Sequence, residues 1–187
     1  MRLIIMGPPG AGKGTQAARI AERFSIPAIS TGDIFRRNLS EGTPLGEQAK
    51  QYMEAGEYVP DEVTNAMVAD RLAQPDATGG WLLDGYPRTL AQVHELDRML
   101  ADTDASLDAV LELVVDSEVV VDRLLKRAEI EGRADDNAET IRRRMQVYVA
   151  ETAPLTAEYA GRDLLRQVDG LGTMDEVTER IFAALST

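Results

Sequence analysis

Short, uniformly apolar runs alternate along this chain with longer stretches in which apolar residues recur every three to four positions. The runs at 3–6, 26–29, 81–83, 109–115 and 164–168 predict strands. Between them the spacing is helical, as in 16–24, where Ala17, Ile20, Ala21 and Phe24 fall on one face. Strand and helix in strict alternation predict an α/β fold, a five-stranded parallel sheet flanked by helices. Two stretches interrupt the alternation. One, from 30 to about 73, is helical and punctuated by glycines; the other, 128–137, is a short charged connection between two helices. Ligands of open α/β sheets bind at the carboxyl ends of the strands, so both interruptions are placed to cover a site there. No internal repeat or low-complexity linker divides the chain.

The junction between the first predicted strand and helix carries the most specific chemistry. Gly7-Pro8-Pro9-Gly10-Ala11-Gly12-Lys13-Gly14-Thr15 follows an apolar run and opens a helix. A plain Gly-Pro turn would join the two elements without any ligand. In this context, however, the Gly-x4-Gly-Lys spacing predicts a phosphate cradle: backbone N–H groups converge on an anion, the helix N-terminus adds partial positive charge, and Lys13 adds a full one. The usual motif places Ser or Thr directly after the lysine. Here Gly14 stands there and Thr15 follows, which predicts that the metal accompanying a nucleoside triphosphate is held less directly, through water.

Three further groups complete the candidate site. In Trp81-Leu82-Leu83-Asp84-Gly85-Tyr86-Pro87-Arg88 an apolar strand ends in Asp84, which would bring a carboxylate beside the cradle for Mg²⁺ and its waters. Asp-Gly is also a common strand-ending turn; the nearby cradle favours the metal role. Ser30-Thr31-Gly32-Asp33 reads as a helix cap, with Arg36 about one turn further on, and together they form a second anion station. Arg123 and Arg127 lie four apart on one helix face, an arrangement that repels unless an anion sits between them or each has its own partner, such as Glu131 for Arg127. In the helix from Ala138, the positions Ile141, Met145, Tyr148, Thr152, Leu155 and Tyr159 form one stripe. At 100° per residue Arg144 flanks that stripe and Arg143 points away, so Arg144 is expected at the site and Arg143 in solvent.

Composition narrows the alternatives. A chain of 187 residues fits one compact domain, residues 1–187, with small inserts. A formal net charge of −12 argues against nucleic acid as a partner. Apart from Lys13, Lys50 and Lys126 the basic residues are all arginines, whose planar fork suits phosphate. There is no cysteine for a thiolate or zinc site and one histidine, His94, on a polar helix and expected at the surface. No apolar run approaches the length of a membrane span, and the strand of the cradle starts at the chain's beginning, which leaves no room for a signal peptide. These features predict a cytoplasmic protein with neither membrane nor nucleic-acid partners.

Taken together, these motifs resemble the adenylate kinases over essentially the whole chain. The cradle, Ser30-Thr-Gly-Asp33, Asp84-Gly-Tyr-Pro-Arg88, Arg133-Ala-Asp-Asp136 and Thr152-Ala-Pro154 occur in that family's order. The resemblance implies a P-loop NTPase fold, the Mg²⁺-dependent reaction ATP + AMP ⇌ 2 ADP, an AMP-binding insert at 30–59, and a lid at 127–137. The lid is of the short form, without zinc, since only 128–132 separate Arg127 from Arg133. It further implies that Gly10, Ala11, Gly12, Lys13, Gly14 and Thr15 take ATP phosphates, with Arg123 and Arg127 facing ATP and Gly172 offering its backbone to the adenine. Thr31, Arg36, Glu57, Tyr58, Val59, Gly85, Tyr86, Pro87, Arg88 and Gln92 would hold AMP. Arg133 and Arg144 would clamp the transferring phosphates, and the chain is expected to act as a monomer.

The chemistry asks little else of the protein. The attacking oxygen of a nucleoside monophosphate is already anionic, so no general base is required. The demand is to align two repelling polyanions and to stabilise the charge of a loose transition state, the expected task of Lys13, Arg88, Arg127, Arg133 and Arg144, with Asp84 positioning Mg²⁺. A UMP/CMP kinase would share the cradle and differ in its base pocket; Gln92 favours adenine. A GTPase switch would need Asn-Lys-x-Asp, which does not occur. A non-catalytic nucleotide-binding module would not need two anion stations and this many arginines.

Overall fold

The computed structural model describes residues 1–131 and 137–186. Its centre is a parallel sheet of β1 (Arg2–Met6), β2 (Ala28–Ser30), β3 (Trp81–Asp84), β4 (Ala109–Val114) and β5 (Leu165–Asp169), in the order β2-β3-β1-β4-β5. All five predicted strands are present. β1 is apolar from Leu3 to Met6 because both of its faces are covered there, as in parallel sheets generally. Leu3 and Ile5 pack with Ala17 and Ile20 of α1 (Lys13–Phe24) and with Val177 and Ile181 of α9 (Met174–Leu185). Ile4 and Met6 face the opposite layer, formed by Val68 of α4 (Asp61–Leu72), Val93 and Leu96 of α5 (Leu90–Ala101), and Leu155 and Tyr159 of α8 (Leu155–Gly161).

The interruption after β2 consists of α2 (Thr31–Ser40) and α3 (Pro44–Ala55), followed by α4. Phe35, Ala49 and Val59 form a small core of their own there, separate from the two layers on the sheet. The two helices cross so closely that a Cβ on Gly46 would lie 2.3 Å from the Asn38 carbonyl group. After β4, α6 (Ser117–Glu131) leads toward the short connection, and α7 (Ala138–Val147) returns from it. The stripe predicted from Ala138 to Tyr159 is not one helix. The chain widens at Tyr148–Thr152, where Ala153 N–H bonds the Tyr148 carbonyl, and restarts as α8 after Pro154. Proline cannot continue the ladder of a helix that precedes it. No helix among the described residues is long and apolar enough to cross a membrane.

The strand order determines what meets at the carboxyl edge. Asp84 ends β3 beside Ile5 of β1 and Ser30 of β2. The loop after β1, the carboxylate of Asp84 and the start of α2 therefore converge on adjacent strand ends.

Candidate active site

The loop from Gly7 to Gly12 wraps ahead of α1 with Gly12 in left-handed conformation. Gly10 is also left-handed, and a Cβ there would lie 2.7 Å from the Val120 carbonyl oxygen. The loop is pressed against α6, and only glycine fits at that contact. Arg123 ties the same elements together, donating to the Ala11 and Gly170 carbonyls at 3.4 and 3.3 Å. Lys13 Nζ turns back into its own loop and donates to the carbonyls of Gly7 and Pro8 at 2.9 and 3.0 Å. Burial lowers its pKa to about 8; Asp84 opposes the shift, and the guanidiniums of Arg88, Arg144 and Arg127 add to it. Burial pushes the Asp84 carboxyl up, against the pull of Lys13 and Arg88.

Two cavities open at this edge. The first is lined by the loop, Asp84, Arg123 and Arg127. The second runs between the insert and the core, with Phe35, Met53 and Val59 on its apolar side and Gln92 deep within it. Lys13, Arg36, Arg88 and Arg144 line both. Four cationic side chains at a shared wall repel one another, an arrangement that suits anions arriving from both sides.

Arg88 is held from several sides. Its Nε donates to the Gly85 carbonyl at 2.7 Å, an acceptor it shares with Thr31 Oγ1 at 2.9 Å. Its guanidinium carbon lies 4.9 Å from the centre of the Tyr58 ring. Gly85 has φ of +82°, and a Cβ there would lie 2.8 Å from both Arg88 Nη2 and Thr31 Oγ1. The backbone of Arg88 is held as well: Thr152 Oγ1 donates to its carbonyl at 2.9 Å. Because that hydroxyl has spent its proton, the 2.7 Å contact between Tyr58 and Thr152 is donated by the tyrosine. Tyr86 lies buried beneath, following Gly85, its hydroxyl donating to Asn65 Oδ1 at 2.8 Å.

Most of the residues expected at the site are brought together. Gly10, Gly12, Gly14 and Thr15 line the first cavity; Thr31, Glu57, Tyr58, Val59, Tyr86, Pro87 and Gln92 line the second. Ala11 is buried in the core and lines neither, and Gly172 lies in the loop after β5, also outside both. Arg133, Asp135 and Asp136 fall outside the described residues, as does the stretch 132–136 of the expected lid. Of the two residues that could cap α2, Ser30 and Thr31, it is Ser30 that does so, its Oγ accepting from Asp33 N–H at 3.2 Å, while the Asp33 carboxylate pairs with Arg36. His94 is exposed.

Arg143 requires a correction. It does not reach the two cavities, yet it is not merely solvated: it forms a salt bridge with Glu57 of the insert. Helical angle alone placed it away from the stripe, but the insert packs on that side too, with Thr140 Oγ1 donating to the Glu54 carbonyl. Two positioning residues were given no role by the sequence. Thr152 belonged to the apolar stripe and to the Thr152-Ala-Pro154 motif, but neither pointed to its bond with Arg88. Asp61, which accepts from Gln92 Nε2, looks in sequence like an ordinary acid in the first turn of a helix.

A phosphate loop on a parallel sheet, joined to a second cavity through a cationic wall, defines a P-loop phosphotransferase acting between two phosphorylated ligands. Residues 5–164 match the family model for adenylate kinase. A Nocardioides protein named adenylate kinase is 66% identical over 99% of this chain and 97% of its own. Adenylate kinases of Thermobifida fusca and Kocuria rhizophila are each 58% identical, over 100% and 98% of this chain and 99% and 98% of their own. The chain belongs to the adenylate kinase family.

Proposed function

We propose that ATP occupies the P-loop cavity and AMP the insert-side cavity, and that this chain carries out ATP + AMP ⇌ 2 ADP at their shared wall. The observation behind this reading is that wall itself, where Lys13, Arg36, Arg88 and Arg144 face both compartments. In this reading the segment 30–59 is the acceptor insert and 127–137 the lid. Thr31, Arg36 and Arg88 hold the AMP phosphate, Tyr58 and Val59 flank its nucleoside, and Gln92 meets its base. Lys13, Arg88, Arg127, Arg133 and Arg144 stabilise the transferring phosphoryl group, whose charge is spread over its equatorial oxygens. Arg123 acts on ATP partly by bracing the loop through Ala11.

The donor set fits Mg²⁺. Among the described residues no cluster of three metal-ligating side chains exists; of the two carboxylates lining the P-loop cavity, Asp33 pairs with Arg36, and Asp84 has its carboxyl pushed up by burial. A carboxylate destabilised in this way gains from a dication, and Mg²⁺ commonly binds through one carboxylate, water and substrate phosphates. Asp84 would hold it through water, and the ion would neutralise charge on the β- and γ-phosphates. No side chain need act as a base, because the phosphate oxygen attacks as an anion. We take a monomer as the working unit, as the family resemblance implies. We place its activity in the cytoplasm, where these nucleotides are made and consumed.

The test is ADP formation from Mg–ATP with AMP, UMP, CMP, GMP or no acceptor. Turnover with AMP far above the others is expected. Comparable rates with UMP or CMP would move the base assignment, and ADP formed without an acceptor would recast the site as one that water reaches.

A further inference from the structure

Gln92 makes two hydrogen bonds of opposite sense. Its Oε1 accepts from the Arg88 backbone N–H at 2.7 Å, and its Nε2 donates to Asp61 Oδ1 at 2.7 Å. A backbone N–H can only donate and a carboxylate can only accept. Rotating the amide by half a turn would set N–H against N–H and oxygen against oxygen, so one orientation is enforced. The enforcing carboxylate is itself held, since Oδ2 accepts from Thr89 Oγ1 at 3.0 Å. Thr89 in turn caps α5, accepting from Gln92 N–H at 3.2 Å. The clamp joins the first residue of α4 to the first turn of α5, 31 positions apart in the chain.

Gln92 is buried, with 1% of its surface exposed, and it lines the insert-side cavity. Beyond the two bonds described, its amide retains one N–H and one oxygen lone pair. A 6-aminopurine presents an amino donor beside the N1 acceptor on its pairing edge; a 6-oxopurine presents a carbonyl acceptor beside an N1–H donor. An amide held in one orientation complements one of these edges and opposes the other. A freely rotating amide would serve both.

We propose that Asp61 is a positioning residue for base selection: by locking the Gln92 amide it makes the acceptor cavity complementary to 6-aminopurine nucleotides and hostile to 6-oxopurine ones. This rests on the reading of that cavity as the AMP site with Gln92 as its base contact. Asp61 lines neither cavity and acts only through Gln92.

The experiment compares AMP with IMP, which differ on the pairing edge, at saturating Mg–ATP. Asp61→Asn preserves shape but offers Gln92 either a donor or an acceptor. The Arg88 N–H remains as a partial lock, so the AMP/IMP ratio of kcat/KM should fall about tenfold, equivalent to about 1.4 kcal/mol. The change should lie in the acceptor KM, with the KM for ATP unaltered. An unchanged ratio, or equal losses with both acceptors, overturns the proposal. Gln92→Ala separates the two layers. If it leaves the ratio at the wild-type value, the base-contact reading falls and the role of Asp61 falls with it. If it collapses the ratio while Asp61→Asn preserves it, the AMP site stands and Asp61 has no such role. Should Asp61→Asn not fold, Thr89→Ala releases the second carboxylate oxygen; a ratio about threefold lower supports the clamp, and a wild-type ratio overturns it.

Discussion

The P-loop cavity takes the largest single share of its lining from one stretch, Pro9, Gly10 and Gly12 to Thr15, whereas the insert-side cavity gathers Thr31, Tyr58, Arg88, Gln92, Arg144 and Thr152 from separate elements. The two halves also place their cations differently. Lys13 is enclosed and held by its own loop's carbonyls; Arg88 is gripped through a carbonyl it shares with Thr31, a tyrosine ring and a backbone bond from Thr152. A local cradle can be specified by glycine spacing alone. A distributed cavity depends on contacts between residues far apart in sequence, so its selectivity is spread over many weak constraints.

The contrast predicts a sharp failure on the loop side. Lys13→Met should lower turnover by about 10²–10³-fold with the fold intact, read as ADP formation alongside a melting curve. Retention of activity within about tenfold would remove Lys13 from the chemistry.

The same residue gives the loop side its pH signature. Burial holds the Lys13 pKa to about 8, below its ordinary 10.5. In the empty enzyme the cation is present below that value and lost above it, so kcat/KM for ATP should be flat near neutrality and down about tenfold by pH 9. Between about 8 and 10.5 the folded chain carries fewer protons than the unfolded one, and this residue's contribution to stability therefore rises with pH across that window. A kcat/KM that stays level through pH 9 would contradict the enclosure of Lys13.

Gly85→Ala addresses the distributed half. It forces a side chain into a left-handed position and onto Arg88 and Thr31. The KM for AMP should rise about fivefold while the KM for ATP moves little; equal rises in both would show that the two cavities are less separable than their linings suggest. The smallest effect is expected at Arg143→Ala. Its pairing with Glu57 is exposed, and exposed pairs contribute little, so kcat and both KM values should stay within about twofold. A large loss there would make the tie between insert and α7 a working part of the cycle.

What the sequence made legible follows the same division. The sheet, the loop, the Ser30 cap and the approach of Arg144 to the site all follow from periodicity, glycine spacing or helical angle, each a property of neighbouring residues. The pairing of Arg143 with Glu57, the bracing of Arg88 by Thr152 and the lock of Asp61 on Gln92 do not, because each joins positions tens of residues apart. The wide turn at Tyr148–Thr152 was hidden for a related reason. An apolar stripe continues across it without a break in period, and Pro154 is the one local sign of where the helix stops.

The return of Lys13 Nζ to the Gly7 and Pro8 carbonyls bears on reversibility. An enzyme working in both directions must let go of either pair of nucleotides, and a cation stranded at departure would make release steeply uphill. Here the ammonium has a resting place inside its own loop. Phosphate binding becomes an exchange of partners instead of the capture of a bare charge, and each turnover can end with the loop reset for traffic from either side.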